Sequence, residues 1–299
     1  AGRDPSVATA SDLGFAAGPR LNAAGRLADM SIGIRCLLAE SQAEALPLAR
    51  ELDRLNRERR DIEASMQEEA LAEAETVQAL ASAEAYTLCV HRPQWHQGVV
   101  GIVASRLKDR YHRPVIVFAN SGDGELRGSG RSIAGFHLRD ALDLVAKRAP
   151  DTVRRFGGHA FAAGLSIPAD ALARFAETFE SVARECLPEA ALARRLESDG
   201  ELGPGELTVE LCAALRGQVW GQGFAPPTFD GTFDVVAQRI VGDGHAKLTL
   251  ERDGERYSAI AFRTPETLPP RVRVLFRPEL NLWNGRQSVE LVVEAYAEP

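Results

Sequence analysis

The stretch from Gln42 to Ala83 constrains the fold more than any other part of this chain. Alanine, leucine, glutamate and arginine dominate it, it has no glycine, and Pro47 is its one proline. Such residues favour helix, and Pro47 marks either an early-turn position or a kink. An unbroken helix of this length extends roughly 60 Å at 1.5 Å per residue. Apolar residues recur at Leu48, Leu52, Leu55, Ile62 and Met66, while Arg59 interrupts the stripe. A long helix with so narrow a stripe is a coiled coil or a strut between domains. The short, broken seam favours the strut.

The segments flanking the helix differ in kind. Residues 1–40 mix glycine, proline and alanine with little periodic hydrophobicity, and read as the tail of something larger. From Ala85 to Leu187, strand and helix patterns alternate. "YTLCV" reads as a strand, "GVVGIVASRLKDRY" as a helix with Val99, Val103 and Leu107 on one face, and "PVIVFAN" as a buried strand. A turn with a glycine-rich strand, "SGDGELRGSGRSI", precedes the helix "GFHLRDALDLVAKRA". "PADALARFAETFESVARECL" is a further helix with Pro168 in its first turn. This alternation predicts a compact α/β domain. Beyond a polar linker near Pro188–Gly205 and one short helix come five strand-like runs. Asp243-Gly244, Asp253-Gly254 and Asn284-Gly285 supply hairpin turn signals between them. Five strands in so short a segment suit a small barrel of the OB type, with a sandwich as the alternative. The expected fold class is therefore α/β plus all-β.

At 299 residues the chain holds two or three domains, and 45% apolar with 26% charged residues is a normal globular balance. No run approaches the roughly 20 apolar residues of a membrane span, and no basic-then-apolar leader is visible at the start. Cys36, Cys89, Cys186 and Cys212 are far apart and form no CxxC pair, so a reduced, cytoplasmic protein is expected. The net charge is −7, but it is unevenly spread. Residues 41–84 carry 5 basic and 11 acidic side chains, whereas residues 85–165 carry 12 basic and 6 acidic. Local charge governs phosphate binding more than the total does.

Four motifs lie in or beside the basic segment. In "RRFGGHAFAAGLSI", Gly157 and Gly158 precede His159 and a run of small residues. The motif reads either as a tight turn feeding a close-packed strand or as a surface that a ligand approaches closely, with His159 as a donor. In "RGSGRSI", Ser129 and Arg131 are two apart on a strand and share a face. A guanidinium fork beside a hydroxyl suits a terminal phosphate, and a glycine-rich bulge with a surface arginine is the plainer alternative. "PRLNAAGR" places Arg20, Asn22 and Arg26 among small residues. In "PQWHQGVVGIVASRL", His96 and Gly98 precede a helix N-terminus, while Trp95 reads as a packing residue.

Together and in this order, the motifs resemble the RecJ family of single-strand-specific DNA exonucleases, of the DHH superfamily. The resemblance rests on "GFAAGPRLNAAGRLADMSIGI", "WHQGVVGIVASRLKDRYHRPVIVFA", "GSGRSIAGFHLRDAL", "FGGHAFAAGLS" and "FDGTFDVVAQRIVGDGHAKLTL". It covers practically the whole chain. It implies the tail end of a DHH domain at 1–40, a connecting helix at 41–84, a DHH-associated α/β domain at 85–187 and an OB-like nucleic-acid-binding domain at 188–299. It also implies 5′→3′ exonuclease activity in DNA repair and recombination. The expected partners are single-stranded DNA, single-stranded-DNA-binding protein and other repair proteins, with the chain a monomer away from membranes. By position, Ser129 and Arg131 would hold the 5′ phosphate, and His159 would be the catalytic donor to the phosphate being cut. Gly157, Gly158, Arg20, Asn22, Arg26 and His96 would contact DNA.

The family's cofactor is Mn2+ or Mg2+, held by aspartates and histidines of the DHH domain. No Asp-His-His and no Asp-x-Asp occurs in the 299 residues, so no metal ligand is expected in this chain, which alone would be inactive. The resemblance thus implies a piece that begins near the end of the DHH domain. A DHH-family oligoribonuclease or nucleotide phosphatase shares the glycine–histidine motif, and a non-catalytic DNA-binding or partner-docking module is a third reading. Phe233, Tyr257, Phe262 and Trp283 are candidate base-stacking residues, although most aromatics of a small barrel are core.

Overall fold

The structure, a computed structural model, describes residues 8, 10–80, 85–221, 224–242, 244–283 and 285–299. The chain divides into two units, Ala1–Arg194 and Arg195–Pro299.

In the first unit a short turn α1 (Ala10–Asp12) and a wide helical turn, Leu13–Ala17, lead into α2 (Gly18–Leu27) and α3 (Ser31–Leu38). The long helix α4 follows at Gln42–Leu80 with Pro47 inside it; residues 81–84, where it was expected to end, lie outside the described set. Its stripe serves two partners in turn. Leu52 and Leu55 are buried against Ala23 and Ala24 of α2, while Met66, Ala70 and Ala74 are buried against the sheet layer. The strut therefore runs inside one unit and joins its helical layer to its sheet.

Arg59, the apparent break in the stripe, is half-buried and occupied. It donates to Asn56 Oδ1 at 2.9 Å and pairs with Glu63, which also accepts from Arg106 Nε and Nη2 at 3.2 and 3.1 Å. Burial and the neighbouring charges of Arg60, Arg26 and Arg106 hold the Arg59 pKa below its usual value, against the pull of Glu63.

The sheet of this unit has five strands: β1 (Leu88–His91), β2 (Val115–Gly122), β3 (Glu125–Arg131), β4 (Arg155–Gly158) and β5 (Ala162–Pro168), in the order β1-β2-β3-β5-β4. Only β1 and β2 run parallel, joined by α5 (Val100–Tyr111), as a parallel pair requires a crossover. One face is covered by α6 (Leu138–Arg148) and α7 (Leu172–Cys186), where Phe118, Phe175 and Phe179 are fully buried. Phe118 and Phe175 meet edge to face with centroids 5.6 Å apart. The other face is covered only in part. Val115, Val117 and Ala119 of β2 lie under Val99, Val103 and Leu107 at α5, so those three share a buried face as their spacing implies. The β5–β4 half has no helix over it.

Two local readings change. Gly157 and Gly158 form half of a strand, β4, rather than a turn. Pro168 closes β5 opposite Glu125 instead of opening the helix, which starts at Leu172 after a 3-10 turn, Ala169–Ala171.

The second unit contains α8 (Val209–Arg216) and a closed barrel of β6 (Phe229–Val241), β7 (His245–Arg252), β8 (Glu255–Ala261), β9 (Arg271–Trp283) and β10 (Arg286–Ala297), in the order β10-β8-β7-β6-β9. The β8–β10 pairing is parallel and the others are antiparallel. Asp253 and Gly254 both have positive φ in the β7–β8 turn, the backbone such a two-residue hairpin needs. Asp243 and Asn284, of the other two turn signals, lie outside the described residues. Phe233 and Tyr257 are core residues, 1% and 9% exposed and packed edge to face, so they are unavailable for base stacking. Phe262 is exposed beside His245, and the Trp283 side chain lies outside the described set.

Asp230 ties the segment before the barrel to its wall. It accepts from Ser198 Oγ and from Arg273 Nη2, the latter at 2.6 Å. These two bonds, Ser198 first, hold its pKa below the usual carboxylate value. A depressed carboxylate pKa contributes stability that is present above the unfolded value and lost as pH falls through the folded one. Asp230→Asn is therefore expected to destabilise the chain at pH 7, with the gap to wild type closing below about pH 4. Thermal unfolding of both proteins between pH 7 and pH 2 measures this; a gap that does not change with pH would contradict it.

Candidate nucleic-acid interface

The partly covered sheet face holds most of the residues singled out from sequence. Strand alternation sends Arg127, Ser129 and Arg131 of β3 to that face, since Leu126 packs in the opposite core. Cross-strand register extends each position into a row. Arg131 pairs with Ala162; Ser129 pairs with Gly164, which pairs with Gly157; Arg127 pairs with Ser166, which pairs with Arg155. The result is a shelf whose floor lacks side chains at Gly164 and Gly157. The near end of α5 forms its wall.

Ser129 and Arg131 do converge. Arg131 Nη1 donates to Ser129 Oγ at 3.1 Å, its Nε donates to Ser105 Oγ at 3.1 Å, and Nη1 also reaches the Gly130 carbonyl at 2.8 Å. α5 comes very close here: a Cβ on Gly101 would lie 3.0 Å from Ser129 Oγ and 3.1 Å from Arg131 Nη2. Arg131 is half-buried and faces no carboxylate within ion-pair distance. Its pKa is held below the usual guanidinium value by burial first and by the charge of Arg26 second. A partly desolvated cation beside a second cation is costly unless an anion joins them.

Arg26 reaches this place through the loop before α5. Its Nη1 donates to the Gly98 carbonyl at 3.0 Å, and a Cβ on Gly98 would sit 2.2 Å from the Arg26 carbonyl oxygen, so the two backbones touch. His96 is exposed, and its Nδ1 accepts the Gly98 N–H at 3.1 Å, which shapes that loop. Trp95 is buried and donates to Glu69 at 2.9 Å, a packing role as expected. Arg20 points elsewhere. It is paired with Asp53 of α4 at 2.8 Å and donates to the Ala16 carbonyl, away from Ser129 and Arg131. Asn22 is exposed on α2.

His159 is exposed at the β4–β5 turn, with its N–H on the Ala162 carbonyl at 2.8 Å. The two glycines before it differ. Gly158 has φ +144°, and a Cβ there would lie 2.4 Å from Ala162 O, so the fold itself demands glycine. At Gly157 a Cβ would meet nothing within 4 Å, so the empty space belongs to the shelf. Phe161, 55% exposed, closes the same turn.

Ser105, Gly101, Arg127, Arg155 and Phe161 escaped the sequence reading. Gly101 and Ser105 are small residues four apart on one helix face, and Arg127 extends the alternation of Ser129 and Arg131. Arg155 became visible only through register. Among the described residues no group of three or more His, Cys, Asp or Glu could hold a metal ion. The arginines, serines and histidine of the shelf do not fit Mn2+ or Mg2+, which take oxygen ligands rich in carboxylate. No described helix is long and apolar enough to cross a membrane.

Residues 82–185 match the family model of the DHHA1 domain, and residues 198–295 match that of the RecJ OB domain. Single-stranded-DNA-specific exonuclease RecJ of Dickeya dadantii is 46% identical over 98% of this chain, and that of Escherichia coli is 45% identical over 98%. This chain belongs to the RecJ family. It spans about half the length of these relatives, 52% of each. Crystal structures of RecJ from Thermus thermophilus in complex with Mg2+ and with Mn2+ are similar at a TM-score of 0.79 and 30% identity, covering 97% of this chain and 44% and 42% of theirs. The expected α/β plus OB-like architecture is thus that of RecJ, with a DHHA1 domain followed by the closed barrel.

Proposed function

We propose that this chain is the DNA-binding portion of a RecJ-type 5′→3′ single-stranded DNA exonuclease acting in DNA repair and recombination. One observation carries the reading: Arg131, half-buried beside Ser129 and Arg26 with no carboxylate partner, at the edge of a bare glycine floor. In this reading the 5′ phosphate joins Arg131, Ser129 and Arg26, and replaces the missing counter-charge. His159 donates to the phosphate being cut, while Gly157 leaves room for the strand. The divalent ion carried by the Thermus structures is held by residues outside this chain, so cleavage needs that further part. The RecJ OB match favours this reading over an oligoribonuclease or nucleotide phosphatase.

The test is binding of a short single-stranded DNA with and without a 5′ phosphate, by fluorescence anisotropy at low salt. A charge-assisted bond of about 1.5–3 kcal/mol corresponds to roughly 10- to 100-fold in affinity. Wild type is expected to prefer the phosphorylated strand by about that factor, and Arg131→Ala to lose the preference. Equal binding of both strands by wild type would overturn the reading.

A further inference from the structure

We propose that the shelf carries a second anion subsite, in which Arg127 and Arg155 grip an internal backbone phosphate of the same single strand. The proposal rests on the reading above, since it takes the strand's 5′ end to lie at Ser129 and Arg131. Arg127 and Arg155 both pair with Ser166, so they flank one residue of β5 in a single row. With neighbouring strands about 4.8 Å apart, their backbones are separated by roughly 10 Å. Two long side chains rising from such positions can close on one phosphate from both sides. Alternation puts both on the open face: Phe156 and Leu126, their neighbours in sequence, pack in the opposite core.

Both arginines are exposed, and neither has a carboxylate within ion-pair distance among the described residues. Arg127 makes only a long bond, 3.4 Å, to Gln97 Oε1. Arg92, Arg106 and Arg148 of the same unit each face a glutamate instead. A guanidinium fork matches phosphate oxygens, and nothing in this row reads a base edge. The ligand class is therefore a sugar–phosphate strand of any sequence.

Spacing sets the length of that ligand. The Arg127 row lies two residues from the Ser129 row and four from the Arg131 row, roughly 7 and 13 Å along the strand. The rows are separated by the bare floor at Gly164 and Gly157, where a Cβ meets nothing closer than 3.9 Å. A mononucleotide at the 5′-phosphate residues cannot reach Arg127 and Arg155, whereas a short oligonucleotide can. The subsite thus makes affinity depend on strand length, independently of the 5′ phosphate.

The experiment uses this chain, 5′-phosphorylated and 5′-hydroxyl oligothymidylates of eight nucleotides, and thymidine 5′-monophosphate as competitor, read by anisotropy across a salt series. Arg127→Ala/Arg155→Ala is expected to bind both octamers at least tenfold more weakly at low salt. Its log–log salt slope is expected to fall by about 1.4, or about 0.7 for each lost contact to a single strand. The ratio between phosphorylated and hydroxyl strands, and inhibition by the monophosphate, should stay at wild-type values. Unchanged octamer affinity and slope in the double variant overturn the proposal, as does failure of wild type to bind the octamers at all. Loss of the phosphate ratio in the double variant also overturns it, because the two arginines would then belong to the first pocket. Absence of that ratio in wild type sinks the 5′-phosphate reading, while the change in slope still reports on Arg127 and Arg155. Both positions are exposed, so thermal unfolding should be unchanged, which separates loss of binding from loss of fold.

Discussion

Gly158→Ala is expected to disrupt the β4–β5 hairpin, while Gly157→Ala, one residue away, is expected to leave it folded and weaken DNA binding. At Gly158 the added methyl would lie 2.4 Å from Ala162 O and 2.5 Å from Ala163 Cα, both main-chain atoms of the partner strand. Neither can move aside without breaking the pairing, and φ of +144° is strained for any residue with a side chain. The cost is on the order of 3 kcal/mol or more. At Gly157 nothing stands within 4 Å, so the methyl meets only open space and the unfolded chain loses freedom. The change in stability there is expected to be neutral or favourable, up to about 1 kcal/mol. Its methyl nevertheless rises into the floor on which the strand lies. Thermal unfolding together with oligonucleotide binding separates the two effects. A Gly157→Ala protein that binds like wild type would show that the bare floor is not where DNA passes.

Glu63→Ala is the second large effect, and it acts on the fold. The Glu63 carboxylate is 8% exposed and is shared between Arg59 of its own helix and Arg106 of α5, with Arg60 and Arg26 adding positive charge nearby. Removing it leaves two guanidinium groups partly buried with no counter-ion. Breaking a buried pair in this way costs about 3–5 kcal/mol. Glu63→Gln keeps the shape and part of the hydrogen bonding, and is expected to recover some of the loss but not the charge. Chemical unfolding of the three proteins measures this. If Glu63→Ala unfolds at the wild-type denaturant concentration, the cluster is solvated and the argument fails.

Sequence patterning reached the architecture more surely than the site. The five barrel strands were legible because each alternates and glycine turns divide them, and α4 because nothing in it opposes helix. β4 was not legible. Half of it is glycine, which carries no hydrophobic pattern, and only pairing with β5 makes it a strand. The same limit separates the candidate residues. Ser129 and Arg131 could be grouped from a two-residue alternation. Arg20 and Arg26 stand in one helix with similar surroundings, and Asp53 and Gly98, both distant in sequence, send them to different places. Gly157 and Gly158 are indistinguishable as letters; a neighbouring carbonyl oxygen tells them apart. Arg59, read as a fault in an apolar seam, pairs with a carboxylate that helical spacing alone does not identify as buried.

The order of the strands has a consequence for handling the protein in solution. A closed barrel offers no free border, but the β1-β2-β3-β5-β4 sheet stops at β4, whose outer main-chain groups have no neighbouring strand. Such borders invite a second molecule to zip on, and short length with charge is the usual protection. β4 is four residues long, and the exposed Arg154 and Arg155 lie at its start. The glycines that clear a path for the strand thus lie on the rim most open to self-association, and the same positive charge that would draw in DNA keeps two copies of the protein apart.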